Sequence, residues 1–197
     1  MVPQNERRFS ASQAHRLDDP ARREWLPPDE VLSALAAQPG ETVADVGAGT
    51  GYFALPLAHA VGPAGKVYAV DGQAEMLGHL LEKLSPSVPA PVELVHAEAD
   101  CTGLPASSCD LWLLANLWHE LDDCAAALRE AHRALRPGGR IAILDWRPDV
   151  ERVAGPPIEH RLAPAHAIEH LRAAGFAAIA ESTVGLYSWL VQGKAMR

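Results

Sequence analysis

The segment Val43-Ala44-Asp45-Val46-Gly47-Ala48-Gly49-Thr50-Gly51 constrains this chain more than any other. A short run rich in β-branched residues, 42–46, leads into three glycines, and helical spacing of apolar residues follows over 51–61. Glycines between a strand and a helix let the backbone approach a ligand at the carboxyl edge of a sheet. Two readings compete. A dinucleotide fingerprint, GxGxxG, requires glycine where Tyr52 stands. It also places a pyrophosphate near the glycines, and the Asp45 carboxylate just before them repels phosphate. That carboxylate suits a ligand with a cationic amino group.

Strand and helix patterns alternate along the chain. A polar arm, 1–28, ends in Pro27-Pro28 and carries one short helix over 20–25. A helix over 29–37 follows, with Asp29 as its N-cap. Strands are expected at 42–46, 66–70, 92–96, 110–114 and 140–145. Helices are expected at 73–84, after Asp122-Asp123, and from Pro164 to the stop at Gly175. The last two strands, 177–183 and 185–193, are too close in sequence for a parallel crossover, so they form an antiparallel hairpin. The expected fold is α/β: a three-layer, doubly wound, mostly parallel seven-stranded sheet with an antiparallel C-terminal hairpin. A length of 197 residues fits one domain, read as the arm, a ligand-binding core over 40–147, and a substrate-side loop, helix and closing hairpin over 148–197.

Asp71 ends the second strand, 20 residues after Gly51. A carboxylate there can accept hydrogen bonds from both ribose hydroxyls of an adenosine. The residues now resemble a known family. VADVGAGTG, VYAVDG, VELVHAEAD, CDLWLLANLWHELDD and ALRPGGRIAILDW occur in the order found in class I, Rossmann-like, S-adenosyl-L-methionine (SAM)-dependent methyltransferases. The segment GPPIEHRLAPAHAIEHLRAAGF is similar to the small bacterial branch related to ubiquinone/menaquinone-type and arsenite-type enzymes.

The resemblance implies SAM as cofactor. It implies that Asp45 and the backbone of Gly47, Ala48 and Gly49 hold the methionine portion, and that Asp71 holds the ribose. Gly72 departs from the larger residue often found there, which leaves adenine packing to Met76. The acid beside the adenine amino group is Glu98, followed by Ala99, when counted from the strand. Counted back from Leu104-Pro105 it is Asp100. Asn116 falls beside the methionine portion.

Methyl transfer is an in-line displacement at carbon, so positioning and exclusion of water supply most of the acceleration. A base is needed only where the acceptor loses a proton. His119 and Glu120, just past the fourth strand, are the catalytic candidates; the alternative is that His119 packs the start of the next helix. Glu159, His160 and Arg161 border the acceptor pocket or form a solvated loop. No metal site is expected. His119-Glu120 lacks the second histidine of HExxH, since Asp123 stands there. His166 and His170, with His160 nearby, have a zinc-like spacing, but nine histidines make such pairs common and no cysteine is close.

Composition narrows the partners. A formal net charge of −8 argues against a nucleic-acid substrate. No apolar run approaches about 18 residues, so no membrane span is expected. Three scattered cysteines and a polar N-terminus without an apolar core suit a cytoplasmic protein. With core and closing strands assigned, only the arm and the loop over 147–163 remain to recognise an acceptor, which favours a small molecule. The arm closes over the pocket as a lid, or packs on the sheet edge or against a second subunit of a homodimer. The rival functions are an NAD(P)-dependent oxidoreductase and a SAM-binding protein without catalysis.

Overall fold

The computed structural model describes residues 8–151 and 155–196. Residues 1–7 of the arm and 152–154 of the substrate-side loop lie outside that description. Seven strands form one sheet: β1 (Thr42–Val46), β2 (Lys66–Asp71), β3 (Val92–His96), β4 (Cys109–Ala115), β5 (Leu135–Trp146), β6 (Phe176–Val184) and β7 (Ser188–Ala195), in the order β3-β2-β1-β4-β5-β7-β6. The first five pair in parallel, and β7 is antiparallel to both β5 and β6. The expected doubly wound sheet with a reversed strand is therefore the observed one.

Among the described residues six α-helices accompany it: α1 (Arg22–Trp25), α2 (Pro28–Leu35), α3 (Ala54–Val61), α4 (Ala74–Lys83), α5 (Cys124–Ala134) and α6 (Pro164–Ala173). Apolar side chains alternate to the two faces of the central strands, so a core lies on each side. Ala44, Trp112, Leu114, Ile141 and Ile143 pack toward α5 and α6 on one face. Val43, Leu111, Leu113, Ala142 and Leu144 pack toward α2 and α3 on the other.

Local differences have local causes. Asp29 is not the cap of α2. The helix starts at Pro28, whose fixed φ suits the first helical position, and Asp29 and Glu30 occupy the first turn, where negative charge complements the helix dipole. At α5 the Asp123 side chain caps the helix, accepting the Ala126 N–H at 2.8 Å. The arm holds a 3-10 turn, Ala11–Arg16, before its short helix. β5 begins at Leu135, ahead of Pro137-Gly138-Gly139, and its register against β4 shifts between Cys109 and Leu111.

Candidate functional site

The carboxyl ends of β1, β2, β4 and β5 share one edge, and a cavity of about 910 Å³ opens there. Ligand clefts typically enclose roughly 300–1,000 Å³, so this one has room for a nucleoside and a small acceptor together. The glycine loop forms its floor. Gly47 and Gly51 have φ of 77° and 89°, and an added Cβ would lie 2.9 Å from Leu117 and 2.3 Å from Leu80. Only glycine meets both demands. The Gly47 and Ala48 amides both donate to Val70 O, at 2.8 and 3.0 Å, which ties the loop to β2.

Asp45 stands one residue before the end of β1, beneath this loop. It is 1% exposed, and its Oδ2 is buried without a hydrogen-bond partner. Burial raises its pKa to about 7, Asp71 adds to the rise, and Arg22 and the Ala54 amide oppose it. An orphaned carboxylate oxygen at a cavity wall is the acceptor that a cationic amino group requires. Asn116 Oδ1 is a second orphan at the same cavity, and Asn116 adopts φ 55°, a left-handed conformation that asparagine tolerates.

Asp71 faces the loop from β2. Its Oδ2 accepts Gly49 N–H and its Oδ1 accepts Gln73 N–H, each at 2.8 Å. Burial raises its pKa, against the pull of those two amides. Each oxygen keeps a lone pair free for a hydroxyl donor. Gly72, Met76, Glu98, Ala99 and Asp100 line the neighbouring wall. Arg8 of the arm forms an ion pair with Glu98. A Cβ on Gly72 would lie 2.6 Å from Arg8 Nη2 and 2.7 Å from Glu98 Oε1, so the glycine leaves room for that pair. These residues and Asp45, Gly47, Ala48, Gly49 and Asn116 thus surround one cavity, and the orphaned atoms and the close-approach loop fit SAM.

His119 and Glu120 stand across the cavity, in a 3-10 turn after β4. His119 Nδ1 donates to Asp145 Oδ1 at 2.8 Å, and its backbone N–H donates to Asp145 Oδ2 at 2.9 Å. His119 Nε2 lies 3.8 Å from Glu120 Oε1. Burial works against the His119 charge, but Asp145, the hydrogen bond to it, and Glu120 outweigh burial and raise the pKa. Burial pushes Glu120 up to about 7. The result is a chain of three ionisable groups that hold two negative charges and one positive charge at most.

Three features escaped the sequence reading. Asp145 was visible only as the end of a strand; β4 and β5 pair side by side, which brings it under His119. Trp25 and Trp146 line the acceptor side with ring centroids 5.1 Å apart. Arg22, within the polar arm, is buried against the Tyr52 ring, 3.9 Å from its centroid. The arm itself runs across the cavity. Ala11 N–H donates to Gln73 Oε1 at 3.0 Å, Gln73 Nε2 donates to Phe9 O at 2.8 Å, and Thr50 Oγ1 donates to Asp18 at 2.7 Å.

On the substrate-side loop, His160 lines the cavity. Arg161 turns inward, donating to the carbonyls of Pro156, Arg147 and Val150, and Glu159 faces solvent. His166 and His170 stack 4.2 Å apart; His166 Nδ1 accepts Trp118 Nε1–H and His170 Nδ1 bonds His166 O. Among the described residues no helix is long and apolar enough to cross a membrane.

Comparison with known proteins agrees with this geometry. A family model described as a methyltransferase domain, Methyltransf_11, matches residues 44–143. A crystal structure of a SAM-dependent methyltransferase from Aquifex aeolicus is 34% identical, covers 96% of this chain and 100% of its own, and superposes with a TM-score of 0.89. A demethylmenaquinone methyltransferase of Geobacillus kaustophilus is 32% identical over 59% of this chain and 50% of its own length. An uncharacterised 37.1 kDa protein of transposon Tn4556 from Streptomyces fradiae is 36% identical over 59% of this chain and 34% of its own. The chain thus spans between a third and a half of these curated relatives. With half its length matched by the family model and nearly all of it by the Aquifex structure, the chain belongs to the class I SAM-dependent methyltransferases.

Proposed function

We propose that the protein methylates a small, planar acceptor that gives up a proton as it reacts, a quinol or related phenolic or enolic molecule. The observation that carries this reading is the chain Asp145–His119–Glu120, set beside the cavity wall made by Trp25 and Trp146. SAM, when bound, supplies a methyl group on a cationic sulfur. Asp45 receives the amino group, Asp71 the ribose, and Glu98 or Asp100 the adenine edge. Trp146 and Trp25 offer flat apolar surface to a ring.

Burial brings the Glu120 pKa up to about 7, which suits a general base. His119 beside it holds its own proton less tightly once a cation occupies the cavity. Asp145 fixes the imidazole through Nδ1, leaving Nε2 toward Glu120. The acceptor's proton passes to this pair as its nucleophilic atom bonds to the methyl carbon. The S–CH₃ electron pair stays on sulfur, giving S-adenosylhomocysteine. The names of the demethylmenaquinone methyltransferase relatives support a quinone-type acceptor. A small acceptor, rather than nucleic acid, suits the overall negative charge.

Transfer of labelled methyl groups to a panel of quinols, phenols, amines and thiols tests this reading. Quinols or phenols should be the preferred acceptors, with turnover rising as pH increases through about 7. His119→Ala should lower turnover by about 10²–10⁴-fold with SAM affinity kept. Asp145→Asn should lower turnover in the same direction and pull the rising pH limb to a different position, which a packing role alone does not do. Equal turnover of amines and thiols, or no pH limb near 7, would defeat it. Cofactor binding with no turnover across the panel would leave a SAM-binding protein without catalysis.

A further inference from the structure

Arg22 has a setting that the reaction above does not use. Of the described arginines lining the cavity, Arg8, Arg16 and Arg22, only Arg22 is buried. Its Nη1 donates to Leu17 O at 3.2 Å, and its guanidinium lies over the Tyr52 ring. Its Nε is buried without a partner. Among the described residues, no carboxylate comes within ion-pair distance of it. Burial lowers its pKa only to about 10, so it stays a cation at neutral pH. A desolvated guanidinium with a free donor is costly unless an anion completes it.

The position of Arg22 says which anion. The carboxylates that act on it are Asp18 and Asp45. His119 and Glu120 feel Arg161 and Arg8 instead. The Arg22 guanidinium lies over the Tyr52 ring beside the glycine loop and 6.0 Å from the Trp25 ring centroid, so Arg22 stands at the glycine-loop end of the cavity, where that end meets the tryptophan wall. There Asp45 presents an orphaned carboxylate oxygen, and Arg22 presents a guanidinium with an orphaned nitrogen. The two do not satisfy each other. A ligand bearing an ammonium and a carboxylate on one carbon satisfies both.

We propose that Arg22 binds the α-carboxylate of the cofactor's amino-acid tail, opposite Asp45, which takes the α-ammonium. This rests on the SAM reading of the cavity and adds a residue outside the family's matched segment. It also gives the arm a role. Tyr52 Oη donates to Leu26 O at 2.6 Å, and Leu186 N–H donates to Trp25 O at 2.9 Å, so the helix that carries Arg22 is pinned on both sides. The arm reads whether the bound nucleoside has an amino-acid tail.

Calorimetry with the full chain tests this, using three ligands: S-adenosylhomocysteine, its decarboxylated analogue, and 5′-deoxy-5′-methylthioadenosine, which lacks the whole tail. The unaltered protein should prefer S-adenosylhomocysteine to the decarboxylated analogue by roughly 10- to 100-fold. Arg22→Met should remove that preference while leaving methylthioadenosine affinity unchanged, and Arg22→Lys should keep part of it. If Arg22→Met weakens all three ligands alike, or alters none, the proposal fails and the cofactor site stands. The same holds if Arg22→Met changes only the KM of the acceptor. If the unaltered protein binds none of the three, the cofactor reading itself fails. The comparison of ligands on the unaltered protein keeps the test open should Arg22→Met not fold.

Discussion

At the scale of residues, the cavity is built from charges that water no longer serves. Asp45 shows the consequence most plainly. Its pKa rises on folding, to about 7 from an ordinary 3.8. Folding therefore takes up a proton in that window, and Asp45 costs the free protein stability as pH climbs through it. A cationic ligand reverses the preference, because it favours the ionised carboxylate. SAM binding is expected to release a proton below pH 7 and to tighten as pH rises from about 6 to 7, then level off. Calorimetry in buffers of different ionisation enthalpy reads the proton directly; affinity that is flat or falls over this interval counts against Asp45 as the ammonium ligand. Asp45 and Asp71 are legible in sequence because their places are fixed by distance along the chain from the glycines. Asp145 and Arg22 are not. Asp145 acts through a neighbour 26 residues away, and Arg22 through Tyr52, contacts that exist only once strands pair and the arm docks.

At the scale of elements, alternating periods and punctuation by glycine and proline carried most of the architecture. β1 and β3 fall on their expected limits, since each is a short run closed by turn or loop residues. The hairpin followed from the short separation of its two strands alone. Ends were harder where two signals compete, as at α2, where Pro28 rather than Asp29 sets the first turn. The arm was the least legible element, having little apolar periodicity, and its course depends on what it covers. Its seat is narrow. Gly185, in the turn between β6 and β7, has φ 59°, and a Cβ there would lie 2.2 Å from Trp25 O. Gly185→Ala should cost about 1–3 kcal/mol, seen as a lower Tm, through backbone strain and displacement of the arm. It should also weaken S-adenosylhomocysteine more than methylthioadenosine, because α1 carries Arg22. An unaltered Tm would mean that the turn and the arm do not press on each other.

At the scale of the whole molecule, a formal charge of −8 and a cavity rich in carboxylates meet a cofactor with two cationic groups. Their attraction is long-ranged and makes the protein welcome its ligand before contact. Since a ligand that binds only the folded state stabilises it by mass action, S-adenosylhomocysteine at about 100 times its Kd should add about 2.7 kcal/mol. For a domain near this size that is a rise in Tm of roughly 5–10 °C. A shift seen with NAD and absent with S-adenosylhomocysteine would reverse the assignment of the cavity.

The reversed strand has a consequence in time as well as in space. Because β7 runs against β5, its first residue, Ser188, pairs with Trp146 at the cavity edge, and the turn before it supplies the amide that holds Trp25. The contact between Leu186 and Trp25 closes a loop of nearly the whole chain, the kind of pairing that forms late because so much entropy is lost in closing it. A ribosome must deliver the hairpin before the arm can make its Leu186 contact. The glycine loop, made early, waits for the hairpin before that part of its roof is fixed.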